Sequence, residues 1–268
     1  MTERSFVTDD GVRIVYDDVG PRDGVPVVLC HGLTMEGAQF RDTAAAFVAK
    51  GCRVLMPDLR GHARSGVPST VSRETFTLSR FGADQLAMLA DAGVDKVHWV
   101  GNSLGGIVGL SLLPAGRFLS LTTYGTSYRI GLNGRFSEFW VGLSYWWLRP
   151  RVIAWMMSWL VSRHGPTRRY VAERIVATRP DVIAAISGVV AGYDLRPLVK
   201  AATTPMLLLD CREDWLVNWS MWGTRRAARR MGVTVVELRD GGHCADLDAP
   251  EPWRDAVLNF IGKVSPRP

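Results

Sequence analysis

Residues 98–109 read HWVGNSLGGIVG, and the character of this stretch changes in its middle. The first half is a short apolar run typical of a buried strand, whereas the second half is rich in glycine and opens a helical pattern. Ser103 stands at the change, between Gly101 and Gly105, in a G-x-S-x-G pattern. At a sharp strand-to-helix turn only small neighbours fit, and the serine hydroxyl lies at a helix N-terminus, where free N–H groups stabilise negative charge. The stretch predicts a nucleophilic serine; the alternative is a plain glycine turn with an incidental serine.

Similar apolar runs recur along the chain and alternate with helical patterns. The predicted strands lie at 12–18, 25–32, 53–61, 97–103, 119–126, 205–214 and 234–243. The predicted helices lie at 36–50, 73–93, 104–113, 219–231 and 251–263. Near-continuous apolar strands joined by helices are typical of a mostly parallel sheet with helices on both faces. The pattern therefore predicts an α/β fold.

One long stretch, residues 126–197, breaks this alternation because it contains no recognisable strand. It holds five of the ten tryptophans, ten arginines and four acidic residues, so it carries the whole formal net charge of +6. Arg149-Pro150-Arg151 interrupts its apolar run at 139–161, which argues against a membrane span. We predict a helical cap at 126–197, inserted into a core formed by residues 1–125 and 198–268.

Composition excludes several other classes of protein. The arginines are scattered rather than grouped in a basic block, so no nucleic-acid partner is expected. The four cysteines are widely spaced and form no C-x-x-C pair, so neither a disulfide framework nor a metal site is expected. The first residues show no apolar signal segment. We expect a cytoplasmic monomer or homodimer without a transmembrane segment.

A nucleophilic serine needs a base, and the base needs a carboxylate that fixes its tautomer. Among the five histidines, His243 is the preferred base because it follows the last predicted strand, where a loop can reach the edge of the sheet. The segment after strand 119–124 offers no acidic residue. Asp214, beyond strand 205–209, is the preferred carboxylate, and Asp210 is the alternative.

Five blocks of sequence together resemble the α/β-hydrolase superfamily. They read LCHGLT, DLRGHARSG, GNSLGG, DCREDWLV and GGHCADLDAPE. The likeness implies the α/β-hydrolase fold, with a mostly parallel eight-stranded sheet and a helical cap after the sixth strand. Two positions depart from the family pattern. Ala63 replaces a glycine, and Asp210 stands where a glycine is frequent.

The resemblance also implies the chemistry of the site. Ser103, Asp214 and His243 fall on the positions of the catalytic triad. The backbone N–H groups of Leu33 and Leu104 fall on the positions of the oxyanion hole. No cofactor is implied. A looser similarity to small bacterial carboxylesterases and 3-oxoadipate enol-lactonases indicates an ester or lactone as the small-molecule substrate.

The predicted cap supplies the expected walls of the substrate pocket. We expect Trp140, Trp147, Trp155 and Met156 to contact an apolar acyl part, because large aromatic and soft side chains accept bulky groups. In the same interpretation an arginine near the pocket mouth binds a carboxylate-bearing substrate. The alternative is a cap whose inner face only packs on the sheet while its arginines face water. Three alternative functions use the same residues: a C–C bond hydrolase, a cofactor-free perhydrolase and a ligand receptor that retains the triad.

Overall fold

A computed structural model describes residues 2–265 of the chain. Its strands are β1 Thr2–Val7, β2 Arg13–Val19, β3 Val25–Cys30, β4 Cys52–Asp58, β5 Val97–Asn102, β6 Phe118–Tyr124, β7 Arg129–Gly131, β8 Gly192–Asp194, β9 Met206–Cys211 and β10 Thr234–Leu238. Its α-helices are α1 Arg41–Val48, α2 Leu78–Ala92, α3 Leu104–Ser111, α4 Gly134–Trp147, α5 Pro150–Val161, α6 Gly165–Ala177, α7 Pro180–Val190, α8 Arg196–Ala201, α9 Asn218–Arg230, α10 Ala245–Asp248 and α11 Pro250–Val264. Short 3₁₀ turns precede α1 and α2.

Eight strands form one sheet in the order β1-β2-β4-β3-β5-β6-β9-β10. From β4 to β10 neighbouring strands run parallel, whereas β2 pairs antiparallel with both β1 and β4. The carboxyl ends of the parallel strands therefore meet at one edge of the sheet. The predicted α/β-hydrolase fold with eight strands is confirmed.

Both faces of the sheet are covered, which explains the near-continuous apolar strands. Every residue of β5 is buried. One face packs on α2 and α3, where Phe81, Met88 and Val108 join the core. The other face packs on α1 and α11, through residues such as Phe47 and Trp253. Ser103 is thus held at the end of a strand enclosed on both faces.

Three strands differ from the sequence prediction. β1 was not predicted, because TERSFV is mostly polar and its burial alternates only between exposed and half-buried positions. The 126–197 stretch was expected to contain no strand, and that expectation is wrong. β7 and β8 pair antiparallel there, with Ile130 opposite Tyr193. Three residues each are too short to produce a strand pattern.

The four helices α4 to α7 lie between β7 and β8 in the chain. In the main sheet they follow the sixth strand, β6, as predicted. Among residues 2–265, no helix is long and apolar enough to cross a membrane. The cap boundaries at 126 and 197 stay a prediction. Residues 1 and 266–268 of the predicted core lie outside the described residues.

Candidate active site

Ser103 occupies a strained turn between β5 and α3. Its φ is +48° and its ψ is −113°, a conformation that L residues rarely adopt. A Cβ at Gly101 would collide with the backbone of Gly105, and a Cβ at Gly105 would collide with the carbonyl of Cys30. The two glycines therefore allow the strand and the helix to approach closely enough to make the turn.

His243 and Asp214 meet at the same edge of the sheet. Asp214 follows β9, and His243 follows β10. The Nδ1 atom of His243 lies 2.8 Å from Oδ2 of Asp214, and both side chains are buried. The other oxygen of Asp214 accepts hydrogen bonds from the N–H groups of Leu216 and Val217. These bonds fix the carboxylate, which in turn fixes the imidazole.

Asp210, the alternative carboxylate, has a different partner. The guanidinium of Arg225 donates a 2.7 Å hydrogen bond to it, and the two side chains form an ion pair. Asp210 lies on β9 itself, so its side chain is fixed by the sheet and contacts α9. The structure therefore brings Asp214, and not Asp210, to His243.

Two of the other histidines form hydrogen bonds with groups other than Asp214. His31 is fully buried between the Gly32 carbonyl and the Leu59 N–H, and its burial lowers its pKa to about 4. His98 contacts Ser120 and Ser265, and burial lowers its pKa to about 4 as well. Both histidines thus stay neutral near pH 7 and serve as hydrogen-bonding groups inside the fold.

Leu33 and Leu104, the residues predicted to form the oxyanion hole, lie in the same cavity lining as Ser103. Leu104 is the first residue of α3, so its N–H has no partner within the helix. The Gly32-Leu33 loop approaches from the other side. A Cβ at Gly32 would lie 3.1 Å from the Cβ of Ser103. The arrangement can place two donors on one oxygen of a bound molecule.

A cavity of about 300 Å³ opens over Ser103 and His243. Its wall on the side of α4 to α7 includes Tyr145, Met157 and Ile183. Among the described residues, no Asp, Glu, Lys or Arg lines it. In the same part of the chain, Ser103 Oγ forms no hydrogen bond with His243. Such bonds are frequently long in a free enzyme and shorten when substrate binds.

The sequence profile of the alpha/beta hydrolase family matches residues 27–256, which is most of the chain. The chain belongs to the alpha/beta hydrolase family. A non-heme chloroperoxidase of Streptomyces lividans is 36% identical over 102 residues, a match that covers 38% of this chain and 36% of that protein. The chain thus matches only about a third to a half of the length of the first curated relatives.

Other relatives of this chain match along nearly their whole length. A RutD protein of Variovorax paradoxus, whose name assigns it carbamate hydrolysis, is 26% identical over 93% of this chain and 96% of its own. The 3-oxoadipate enol-lactonase 1 of Acinetobacter baylyi is 21% identical over 91% of both chains. The expected likeness to enol-lactonases is therefore confirmed.

Solved structures match this chain over almost all of its length. A hydrolase from Pseudomonas aeruginosa PA01 superposes with a TM-score of 0.84 at 23% identity, over 97% of this chain and 98% of that one. The enol-lactonase from Burkholderia xenovorans LB400 has a TM-score of 0.82 at 19% identity, over 97% of this chain and 100% of that one. At these identities the likeness shows the fold alone.

The predicted substrate-binding residues lie outside the cavity; they are Trp140, Trp147, Trp155 and Met156. Trp147 and Trp155 are 71% and 62% exposed, and Trp140 and Met156 are about half exposed. The wall is formed instead by their neighbours Tyr145 and Met157. Positions one or two residues apart on a helix point in different directions, and both helices are apolar on more than one face. The expected arginine at the cavity is absent from its described lining.

Sequence analysis missed two residues that hold His243 in place. Asn102 Nδ2 donates a 2.7 Å hydrogen bond to the His243 carbonyl. Gly125 has a φ of +57° and lies directly against the imidazole. Asn102 was visible in the sequence as the neighbour of the serine. Gly125 directly follows β6, but a glycine without a side chain gives no sequence signal of a contact with a histidine.

Proposed function

We propose that the protein is a serine hydrolase that cleaves a carboxylic ester or lactone with an apolar acyl part. The observation that carries this proposal is the 2.8 Å contact of Asp214 with His243 at the cavity that Ser103 lines. A serine, a histidine and a carboxylate in these positions form the set of groups that acyl transfer requires. The full-length likeness to an enol-lactonase supports the choice of ester chemistry.

In the first step, Ser103 Oγ attacks the ester carbonyl while Nε2 of His243 accepts the hydroxyl proton. Asp214 stabilises the imidazolium that forms, and the N–H groups of Leu33 and Leu104 bind the oxyanion. The bond to the leaving oxygen then breaks, and His243 gives its proton to that oxygen. The products are an acyl-serine and a free alcohol.

In the second step, water replaces the alcohol. His243 accepts a proton from water as its oxygen attacks the acyl-serine, and the same two N–H groups bind the new oxyanion. The bond to Ser103 breaks, His243 returns the proton to the serine oxygen, and the carboxylic acid leaves. Water is the only co-reactant that the two steps consume.

The wall of the cavity supports an apolar acyl group. Met157, Val171 and Ile175 come from the cap helices, and Ile107 comes from α3. These four side chains offer no strong hydrogen bonds, so a polar acyl chain lying against them would lose its hydration without replacement. The absence of a described arginine on the wall removes the support for a carboxylate-bearing substrate.

Labelling with a fluorophosphonate tests the nucleophile. The reagent should attach to Ser103, and peptide mass spectrometry identifies the modified residue. Ser127 lies in the same cavity lining and is the internal control, because its hydroxyl is engaged with Arg129 and Thr224. Labelling of Ser127 instead of Ser103, or of neither, contradicts the proposal.

Turnover of p-nitrophenyl butyrate tests the reaction. Ser103→Ala should reduce kcat below about 1% of wild type, since removal of a triad member usually costs far more. Ser127→Ala should retain most of the activity. A single stoichiometric burst without turnover would favour a receptor. A requirement for hydrogen peroxide would favour a perhydrolase, a function consistent with the name of the Streptomyces lividans relative.

A further inference from the structure

The outer face of α5 exposes a continuous apolar stripe. Val152, Trp155, Met156, Trp159 and Leu160 recur at helical spacing, and each is between 41% and 62% exposed. The opposite face of the same helix is also apolar, since Met157 and Val161 line the cavity. A helix that is apolar on both faces is expected to be covered on both. One side of α5 is covered by the protein, and the other is open.

The apolar stripe continues into the turn before α5. Trp146 and Trp147 end α4 and are 75% and 71% exposed, and Leu148 follows them. Trp146 and Trp147 stack edge to face with ring centroids 4.9 Å apart. We call this turn together with the outer side of α5 the α5 surface. Tryptophan combines a large apolar ring with one N–H donor, a combination suited to the boundary between hydrocarbon and water.

The charges around the α5 surface are mainly positive, although Glu173 lines the same cleft as Arg151 and Trp155. Between Glu138 and Glu173 the sequence contains no acidic residue but five arginines, at positions 149, 151, 163, 168 and 169. Within residues 2–265, none of the five forms an ion pair with a carboxylate. Arg168 lies over the ring of Trp159 at 3.6 Å, so cation and aromatic ring share one surface. Arg151, Arg168 and Arg169 line one cleft with Trp155 and Trp159. An apolar surface flanked by such guanidinium groups is complementary to anionic phosphate headgroups above hydrocarbon.

We propose that the α5 surface docks the protein on a lipid membrane that carries anionic headgroups. The tryptophans enter the interfacial region, and the arginines contact lipid phosphates. Docking places α5 between the membrane and the cavity, because Met157 and Val161 contact the cavity from the other side of the helix. The inference rests on the exposed face and its charge and is independent of the reaction assigned to Ser103.

Sedimentation of the full chain with lipid vesicles tests the docking. Vesicles of phosphatidylcholine alone are compared with vesicles that contain one third phosphatidylglycerol. We expect much stronger binding to the anionic vesicles, and we expect salt to weaken it. The double variant Arg149→Gln, Arg151→Gln should weaken it about 25-fold at low salt, since each basic residue near such a surface contributes about five-fold.

Two matched valine variants distinguish docking through the α5 surface from a general effect of added negative charge. Val152→Glu adds a carboxylate to the α5 surface, and we expect at least a ten-fold loss of vesicle binding. Val7→Glu makes the same change at an exposed valine in β1 and should leave binding unchanged. Circular dichroism and thermal unfolding show whether both variants fold. If Val152→Glu fails to fold, the arginine double variant, which changes only side-chain charge, provides the comparison.

Three results would overturn the docking proposal. The first is no binding to either kind of vesicle, and the second is an equal loss in Val152→Glu and Val7→Glu. The third is a wild-type dimer in analytical ultracentrifugation that Val152→Glu converts to a monomer while neither protein binds vesicles. In that case a second copy of the chain covers the α5 surface.

Discussion

Gly125 lies directly against the imidazole of His243. A Cβ at this position would lie 2.9 Å from Nδ1 and 3.0 Å from Cε1 of the ring, and 3.1 Å from Nδ2 of Asn102. Atoms this close require the ring to move, and Asp214 holds the same ring through Nδ1. The end of β6 thus limits where the histidine can lie, although it contributes no side chain to the site.

Replacement of Gly125 by alanine is predicted to impair catalysis. We expect Gly125→Ala to lower kcat by about 100-fold, because a displacement of about 1 Å in a reacting group costs that much. Gly116→Ala is the control: its φ is also positive, at +66°, but no atom lies within 4 Å of the added Cβ. Both variants lose some stability from backbone strain. If both lose activity equally, the contact with His243 has no catalytic role.

Amide substitution should distinguish the two candidate carboxylates. We predict that Asp214→Asn lowers kcat by about 10⁴-fold, since an amide beside the imidazole favours the wrong tautomer. Asp210→Asn should change kcat far less, because Asp210 pairs with Arg225 rather than with the histidine. Steady-state kinetics on one ester measure both. A larger effect at Asp210 would mean that the acid is wrongly assigned.

The length of the acyl chain should control the rate. We expect kcat/KM to rise from acetyl to hexanoyl p-nitrophenyl esters, by up to about four-fold per methylene, which corresponds to ~0.8 kcal/mol of apolar burial. Met157→Trp fills part of the cavity and should remove the preference for longer chains. Met156→Trp makes the same change on the half-exposed neighbour and should keep it. A flat profile in the wild type would exclude an apolar acyl site.

Stability should depend on pH through Asp246. This carboxyl is buried, and burial raises its pKa from 3.8 to about 6, although Gln39 and Tyr124 hydrogen-bond to it. The folded state therefore binds the proton more tightly than the unfolded state does. The protonated carboxyl therefore stabilises the fold fully below about pH 4, and this stabilisation is lost as the pH rises through about 6. The free energy of unfolding falls by up to ~3 kcal/mol over this range.

Asp246→Asn should remove this dependence and raise the free energy of unfolding at pH 8 relative to wild type. Its amide can donate to Oε1 of Gln39 once the Gln39 amide group, whose Nε2 now faces residue 246, has turned by 180°. Asp255→Asn, an exposed change on α11, is the control. Urea unfolding at pH 4, 6 and 8 measures the difference. If the free energy of unfolding changes equally with pH in wild type and Asp246→Asn, Asp246 does not cause the pH dependence.

Ala63, the departure from the family glycine, has a left-handed backbone. Its φ is +43°, which costs an alanine about 1–2 kcal/mol. Ala63→Gly should therefore stabilise the fold by about 0.5 kcal/mol, after about 0.4–1 kcal/mol is subtracted for the freer unfolded chain. Ala49→Gly, at a φ of −62°, should destabilise instead. If both variants shift the midpoint of thermal unfolding in the same direction, the strain at Ala63 is contradicted.

Periodicity predicted most of the framework, because buried parallel strands and amphipathic helices leave strong patterns. The apolar strands β3 to β6 and the helices between them lie close to their predicted positions. β1 was missed because an edge strand needs little apolar surface. The pairing of β7 with β8 was missed because it depends on residues more than 60 positions apart, which no local pattern records.

The wall of the cavity was the part that sequence could not predict. Along α4 and α5 apolar residues occupy nearly every direction, so the pattern does not say which side faces inward. The size of the tryptophans suggested that they would be buried, and the structure exposes them. Tyr145 and Met157 line the cavity instead. Which residues do so depends on how α4 and α5 pack against the rest of the protein.

The pairing of β7 with β8 has a consequence for how related chains can differ between these two strands. Arg129 stands opposite Asp194, so the polypeptide that leaves the main body returns to it at the same point. The segment between these two residues, which includes α4 to α7, is a single insertion that begins and ends at the β7–β8 pair. The length or sequence of this insertion can change without moving the ends of β6 or β9. Changes in this segment would alter what the cavity accepts, provided that the replacement still accepts the hydrogen bond that the His243 N–H donates to the Val161 carbonyl.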